Sequence, residues 1–457
     1  MSEAAVSPPD PSVVLRQRSY RGLLVLAAVT GVVVSLASWG FLELVHAVQD
    51  WAFKDLPGEL GFSGVPTWWP LPLLALAGPV IAFAIVRLPG RGGHEPVDGL
   101  KSGGPPTTPI QLPGVMLAAF ATLALGLVLG PEAPLIALGS GLGILAIKLA
   151  RRDAPDQALA VMAAAGSFAA ISTIFGSPIV GALIIIEAAG LGGPMLPVVL
   201  LPGLISAGIG SLVFIGMGSL TGLSSSAYAI APLALPSYPR PTLAAFGWTL
   251  AIAVAAALVT WATIVLGRAT QRLVHRRPYL MVTVAALLIG ACAIAFFEIT
   301  GEAVDLVLFS GQDGMGPVVQ HAATLTLGTL ALLIVFKSLA WGLSLGAARG
   351  GPTFPAIFLG IVGGLLVAHL PGFSETPAIA VLVAAMCVSM LRLPLSSIVI
   401  ALIITRAGLG STPLIIVGAA VAYLVTIGLA AHRDEAARVP GAAVAGPAAT
   451  GATPSSG

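Results

Sequence analysis

The chain is a series of long apolar runs separated by short polar segments. Examples of the apolar runs are residues 22–42, 158–186 and 188–239. A helix needs about 20 apolar residues to cross the hydrocarbon core of a bilayer, so these runs predict transmembrane helices. Because lipid offers no partners to exposed backbone groups, the predicted fold class is an all-α polytopic membrane protein.

The composition supports this fold class. Of the 457 residues, 57% are hydrophobic and 9% are charged, whereas average soluble domains carry about 25% charged residues. The basic residues stand between the apolar runs, in clusters such as Arg16, Arg18 and Arg21. This cluster predicts a cytoplasmic N-terminus. No basic patch with interleaved aromatic residues occurs, so no nucleic-acid partner is expected.

Three regions are predicted along the chain. Residues 1–19 are expected to be a disordered cytoplasmic segment, residues 20–431 the transmembrane domain, and residues 432–457 a disordered tail rich in Ala, Gly and Pro. We expect both termini in the cytoplasm and the protein in the cell (inner) membrane. The two cysteines, Cys292 and Cys387, lie in apolar segments and are predicted to be core residues, so no metal site or cofactor is expected.

The transmembrane domain contains an internal repeat, with halves at about residues 20–217 and 242–431. Residues 130–134, Gly-Pro-Glu-Ala-Pro, align with 351–355, Gly-Pro-Thr-Phe-Pro, at an offset of 221. The Ser-Pro and Leu-Pro pairs that end at Pro178 and Pro394 align at an offset of 216. Paired helix breaks at corresponding positions of two halves are typical of transporters with a midplane site.

Helix packing offers a simpler interpretation of the repeat. Gly139 and Gly143, like Gly360 and Gly364, form the GxxxG spacing that lets two membrane helices approach closely. Packing explains these pairs of glycines, but it does not explain why both copies begin a helix directly after Gly-Pro. We therefore favour a site at the two breaks.

Glu132 is a single carboxylate between two uncharged runs, residues 110–131 and 133–147. Pro131 ends one apolar segment, and the next helix is predicted to carry Glu132 in its first turn. Helix N-termini have unpaired amides and favour negative charge, so this position can hold an anion, and Glu132 is a built-in one. An ionisable group at membrane depth indicates function. The alternative is a helix cap at the membrane interface.

Three predicted helix starts bring amide groups to the same region, at residues 102–106, 130–134 and 351–355. Partial charges without a metal or a cationic cage suit a weakly hydrated anion that must be released again. The Ser102 hydroxyl can add a donor, or it can be an ordinary N-cap. In the second repeat Thr353 occupies the position of Glu132, which suits a gate on one side of the site.

These motifs resemble the CLC family of chloride channels and chloride/proton exchangers, whose signatures are GSGIP, G(R/K)EGP and GxFxP. Residues 102–105 are similar to the first signature, 130–134 to the second and 351–355 to the third, within a resemblance over about residues 20–430. The resemblance implies two inverted-topology halves with broken and re-entrant helices around a central anion site, in a homodimer with one pore per subunit.

The resemblance also implies roles for individual residues. Glu132 is expected to be the gate and proton acceptor, and Glu187 is either a residue of the inner proton path or a structural acid with a fixed partner, because Ala188 occupies the usual acidic position. The expected chloride-binding residues are Ser102, Gly103, Gly104, Pro105, Gly130, Ala133, Gly351, Thr353 and Phe354.

Several positions depart from the family pattern. Pro131 and Pro352 replace residues whose N–H groups can face the anion, and Thr353 replaces a phenylalanine. The late tyrosine of the central site has no clear match, since Tyr423 falls too early in the last helix. These departures leave anion affinity and selectivity open.

The predicted function is chloride transport across the bilayer, by a voltage- or pH-gated channel or by a chloride/proton antiporter, and these two remain open. The alternative substrate is another small anion such as fluoride or nitrate. An intramembrane enzyme is not expected, because the sequence contains no HExxH and no cluster of His, Cys and Asp.

Overall fold

The computed structural model describes residues 11–100, 105–193, 196–221 and 230–438. Within these ranges the regular structure is helical, apart from one isolated pair of bridged residues. In its described residues the first half contains nine α-helices, which are α1 Pro11–Arg16, α2 Arg18–Asp50, α3 Leu56–Glu59, α4 Pro70–Arg87, α5 Leu112–Ala124, α6 Glu132–Ala150, α7 Asp156–Ile174, α8 Pro178–Ala188 and α9 Leu196–Thr221. A π-helical turn at Trp51–Asp55 joins α2 to α3.

The second half contains eight α-helices in the described residues. They are α10 Leu243–Arg276, α11 Pro278–Thr300, α12 Met315–Gln320, α13 Leu327–Ala347, α14 Thr353–Val367, α15 Glu375–Leu391, α16 Pro394–Thr405 and α17 Thr412–Arg438. Across both halves, nine of the helices that the structure describes are long and apolar enough to span a membrane. The predicted all-α polytopic class is therefore confirmed.

The helix boundaries differ from the sequence prediction at both ends of the chain. The segment predicted to be disordered up to residue 19 contains α1, and α2 already begins at Arg18. At the other end α17 continues past residue 431 to Arg438. Basic and alanine-rich residues favour helix, so a spanning helix can extend into water by a few turns.

The uncharged run of residues 110–131 is α-helical only as far as Ala124. Gly126 has a φ of +99°, a conformation that a helix cannot contain. The irregular segment that follows is bound by distant parts of the chain, because Val128 N–H donates to Ser344 Oγ and the Gly126 carbonyl accepts from Phe309 N–H. Non-helical backbone at membrane depth requires such internal partners.

The two GxxxG pairs pack as the sequence predicts. A Cβ atom on Gly139 or Gly143 of α6 would overlap the backbone of α7, and a Cβ on Gly360 or Gly364 of α14 would overlap the backbone of α15. The helix pairs α6–α7 and α14–α15 therefore approach at backbone contact in both halves. This close packing places the first turns of α6 and α14 in the interior of the domain.

Candidate functional site

The two Gly-Pro breaks meet in the middle of the molecule. Gly130 N–H donates to the Gly351 carbonyl at 2.7 Å, and Gly351 N–H donates to the Gly130 carbonyl at 2.6 Å. These glycines are equivalent residues of the repeat, at the offset of 221. A reciprocal bond between equivalent residues is what a local two-fold axis between the halves produces.

Helices α6 and α14 both begin one residue after these paired breaks. Pro131 and Pro352 are their N-cap residues and contribute no N–H group. The first amides of α6 are therefore those of Glu132 and Ala133, and those of α14 belong to Thr353 and Phe354. Amides in a first helical turn have no acceptor within their own helix, so both helices offer donors beside the axis.

The Glu132 side chain crosses from the first half to the second. It is fully buried, and its Oε1 accepts hydrogen bonds from Thr353 N–H at 2.6 Å and from Phe354 N–H at 3.1 Å. The carboxylate thus lies on the N-terminus of α14. The alternative interpretation is that Glu132 caps its own helix at a membrane interface. A buried carboxylate bound to the start of another helix does not fit that interpretation.

The paired glycines make room for the carboxylate. A Cβ atom on Gly130 or on Gly351 would overlap the carboxyl group of Glu132. Neither glycine has a positive φ, so space rather than backbone conformation requires glycine at these two positions. The Glu132 carboxyl group therefore occupies a space that both halves form together.

Two polar atoms beside this space have no hydrogen-bond partner in the described part of the chain. They are Glu132 Oε2 and Thr353 Oγ1, and both are buried. Thr353 is the repeat equivalent of Glu132. The ring of Phe354 packs near Phe175 at a centroid distance of 5.9 Å and encloses the site on one side. Buried polar atoms are usually paired, so unpaired ones beside the amides of a helix start indicate a site for a polar ligand.

A cavity of about 350 Å³ adjoins this region at Ala133. Ala133, the residue after the carboxylate, lines it, together with the hydroxyl residues Ser140 and Ser167. Pro105 of the predicted binding set also lines this cavity, whereas Ser102, Gly103 and Gly104 lie outside the described residues. The structure thus brings Gly130, Glu132, Ala133, Gly351, Thr353 and Phe354 together, with Pro105 on the wall of the adjoining cavity.

Glu187 is bound elsewhere, at the N-terminus of α16. Its Oε1 accepts from Leu395 N–H at 3.0 Å, and its Oε2 accepts from Ser396 N–H at 2.8 Å and from Ser396 Oγ–H at 2.6 Å. Each oxygen of this carboxylate therefore has a partner. In both Glu132 and Glu187, an acid of the first half lies on a helix start of the second half.

Sequence reasoning missed Lys337. The prediction that basic residues stand between apolar runs fails there, because Lys337 lies in the middle of α13 and is fully buried. Its Nζ donates to the carbonyls of Leu306 and Leu308, each at 2.9 Å. A single lysine within an otherwise uncharged apolar run was the available signal.

A second missed group connects the halves on one side of the domain. Arg349, two residues before Gly351, is buried and pairs with Glu95 at 3.4 Å. Glu95 also accepts from Gln271 and from His275 Nε2, the latter at 3.0 Å. Burial raises the pKa of Glu95, but the hydrogen bond from His275 and the charge of Arg349 outweigh it, so the pKa lies below its ordinary value.

The fold and the site define a class of protein. The two halves are related by a local two-fold axis. In each half a helix is broken in the interior and begins again beside one shared buried site. This architecture is typical of membrane transporters. The sequence profile described as "Voltage gated chloride channel" matches residues 73–427. The chain belongs to this family, the CLC family, whose members are anion transporters and channels rather than enzymes.

Relatives and solved structures agree with this assignment. The chain is 31% identical over 368 residues to "Putative ion-transport protein YfeO" of Salmonella paratyphi A, covering 78% of this chain and 82% of the relative. The protein of the same name from Salmonella choleraesuis gives the same values. A slow cyanobacterial Cl⁻/H⁺ antiporter superposes with a TM-score of 0.69 at 18% identity, covering 89% of this chain and 94% of that one.

A CLC-type fluoride/proton antiporter superposes almost equally well, with a TM-score of 0.68 at 18% identity and coverage of 89% and 95%. At this level of identity the likeness concerns the fold. It confirms the predicted arrangement of two inverted-topology halves with broken helices.

Proposed function

We propose that this protein moves chloride across the membrane through the site beside Glu132, and that the Glu132 carboxylate is the gate. The observation that carries the proposal is the pair of bonds from Thr353 N–H and Phe354 N–H to Glu132 Oε1. Amides at a helix start bind anions, and the ionised carboxylate is the anion that holds them. Protonation removes its charge, and a chloride ion then replaces it on the same two amides.

The proposed binding set uses partial charges only. The proposed donors are the amides of Ala133, Thr353 and Phe354. Thr353 Oγ1 is a buried hydroxyl without a hydrogen-bond partner in the described residues, and Gly130 and Gly351 leave the space. Ser102, Gly103, Gly104 and Pro105 remain the proposed inner part of the site. Partial charges bind an anion weakly enough for it to leave again, which transport requires.

Replacement of the gate tests this proposal. In purified protein reconstituted in liposomes, wild-type chloride flux should rise as pH falls, by up to about tenfold per pH unit, the limit for one titrating group. Glu132→Gln should keep the flux and make it independent of pH. Glu298→Gln, an exposed acid on α11, is the matched control and should behave as wild type. A Glu132→Gln variant with the pH dependence of wild type contradicts the gate.

The proton stoichiometry distinguishes antiporter from channel. We propose Glu132 as the proton acceptor of the site. Support for a structural role of Glu187 comes from its three bonds to α16, and Ala188 offers no inner acid, so coupling is expected to be weak or absent. Recording chloride and proton fluxes together tests this: a fixed proton-to-chloride ratio identifies an antiporter, and chloride flux without proton movement identifies a channel.

Fluoride or nitrate is the second candidate substrate. Pro131 and Pro352 remove two N–H donors from the helix starts, and one of the superposable structures is a fluoride/proton antiporter. Flux of chloride in the presence of competing fluoride or nitrate separates the candidates. If fluoride or nitrate permeates and chloride does not, the permeating anion replaces chloride as the proposed substrate.

We also propose a homodimer in the cell membrane with both termini in the cytoplasm. Basic clusters at the start of α2 and at the ends of α6 and α10 support this orientation, because such clusters favour the cytoplasmic face. Single-molecule photobleaching in liposomes tests the dimer. Labelling, from either side of the membrane, of a cysteine introduced at each terminus tests the orientation.

A further inference from the structure

Lys337 is a positive charge built into the interior of a membrane domain. Its side chain is fully buried, and its Nζ donates to four consecutive backbone carbonyls, at 2.9 Å to Leu306 and Leu308 and at 3.4 Å to Val307 and Phe309. Its Nζ also lies 4.5 Å from the centroid of the Phe358 ring. A charge at this depth is expensive, and it is kept where it serves a function.

No carboxylate pairs with this ammonium group among the described residues. All four of its hydrogen-bond acceptors are neutral carbonyls, and the ion pairs of the described chain do not include it. Asp305 is the acid that acts on it, from a more distant and exposed position. The carbonyls and the ring stabilise the ammonium but do not cancel its charge, so a net positive charge remains in a region of low dielectric constant.

The contact with Phe358 connects this charge to the gate. Phe358 is four residues, or about 6 Å of helix, beyond Phe354 on α14, and Phe354 N–H is bound to Glu132 Oε1. The path from Nζ through Phe358 and the first turn of α14 to the carboxylate therefore spans roughly 10–15 Å. Gly311 and Gly314 pack directly on the Phe358 ring, which holds it in place beside Nζ.

We propose that Lys337 is a positioning charge for the transport site, which attracts the permeating anion to the amides of α14 and favours the ionised gate. This inference rests on the proposed function. With the effective dielectric constant of about 20 that describes buried sites in proteins, a unit charge at this distance changes anion affinity by about tenfold. The helix starts provide only partial charges, and Lys337 provides the full charge at a distance from which it attracts the anion without binding it directly.

The alternative is that Lys337 only anchors the segment of residues 306–309. A neutral donor also anchors carbonyls, so the two roles give different results. Lys337→Gln keeps an N–H donor and loses the charge, whereas Lys337→Arg keeps the charge. With chloride flux measured in liposomes as a function of chloride concentration, Lys337→Gln should weaken apparent affinity by about tenfold, and Lys337→Arg should retain it within about threefold.

The pH profile provides a second measurement. Without the positive charge the ionised gate is less favoured, so flux in Lys337→Gln should reach its half-maximum at a higher pH than in wild type. In the Glu132→Gln background this shift should disappear, and the loss of affinity should remain. Among the described residues, the other titratable groups that act on this pair are Asp305, which acts on Lys337 from a distance, and Cys387, which acts on Glu132.

The outcomes are separable. Absence of anion flux in the wild type contradicts the proposed function itself, whereas wild-type flux with unchanged affinity and pH profile in Lys337→Gln overturns this inference alone. If Lys337→Gln does not fold, Lys337→Met carries the test, because this neutral side chain of similar length needs no hydrogen-bond acceptor in the interior. Its apparent affinity should fall by about tenfold, and an affinity equal to that of wild type overturns the inference.

Discussion

At the scale of single residues, the position of the gate carboxylate depends most directly on the space that Gly130 and Gly351 leave beside their Cα atoms. The carboxyl group of Glu132 fills it, and a single methyl group on either glycine would take its place. The two glycines therefore do more than break a helix. They determine whether the carboxylate can reach the amides of Thr353 and Phe354 at all.

Gly351→Ala should expel the gate carboxylate from its position. We expect the pH dependence of anion flux to fall to less than about twofold across the range, and flux in acid to fall below that of wild type, because the added methyl group excludes both the ionised side chain and the chloride ion that replaces it on the same amides. Chloride flux in liposomes between acid and neutral pH measures this.

A glycine without close neighbours provides the control for that substitution. A Cβ on Gly247 of α10 meets nothing within 4 Å, so Gly247→Ala should leave flux and pH dependence unchanged. If Gly351→Ala folds and keeps the steep pH profile of wild type, the carboxylate does not need this space to act as a gate.

At the scale of helices, the first half supplies acids to helix starts of the second half. Glu132 binds the start of α14 and Glu187 the start of α16. The chemistry is the same, since a carboxylate accepts amides at a positive helix end. The difference is saturation: both oxygens of Glu187 have partners, whereas Glu132 Oε2 has none in the described structure. A carboxylate whose two oxygens are both hydrogen-bonded stabilises the helix start, whereas one with an oxygen lacking a partner can move away.

Glu187→Ala should therefore act on stability and leave gating unchanged. Loss of three hydrogen bonds at a helix start is expected to cost about 1–3 kcal/mol, which lowers the apparent melting temperature of the purified protein in detergent. The pH dependence of flux should remain that of wild type. Unchanged thermal stability together with lost proton movement would instead identify Glu187 as part of an inner proton path.

The helix starts were predictable from sequence, but their partners were not. Gly-Pro breaks and the lone acid Glu132 are local features, and proline dictates a helix start by its missing N–H. The early end of α5 depends on Gly126 and on Phe309, which is far away in sequence. The repeat shows that Gly130 and Gly351 are equivalent residues, but it does not show that they are in contact. Their pairing was therefore not predictable from the repeat alone.

Lys337 shows a different limit of sequence reasoning. Its position in an apolar run was visible, but the compensation for its charge was not, because the four carbonyls belong to an irregular segment about 30 residues earlier. Backbone acceptors carry no signal in the sequence. A buried lysine with an acidic partner is easier to anticipate than one held by carbonyls and an aromatic ring.

At the scale of the whole molecule, Glu95 connects three parts of the chain. It accepts hydrogen bonds from Gln271 and His275 at the end of α10 and pairs with Arg349 in front of the second Gly-Pro break. These residues are at least 176 positions apart from Glu95 in sequence, so no local pattern predicted the cluster. It ties the segment between α4 and α5 to the second half, close to the backbone that carries the site.

Glu95→Gln should loosen this connection in a pH-dependent way. Because the pKa of Glu95 in the folded protein lies below its ordinary value, the ionised acid stabilises the fold above that ordinary value, and the stabilisation is lost as pH falls through the folded-state pKa. We therefore expect the apparent melting temperature of Glu95→Gln in detergent to be about 2–4 °C below wild type at pH 7, with the difference shrinking as the pH falls below the ordinary pKa of a glutamate, about 4.3. Glu298→Gln, on the exposed face of α11, should show no difference at either pH. A deficit that is equally large in acid would mean that Glu95 acts by packing alone, and that its charge does not join the two halves.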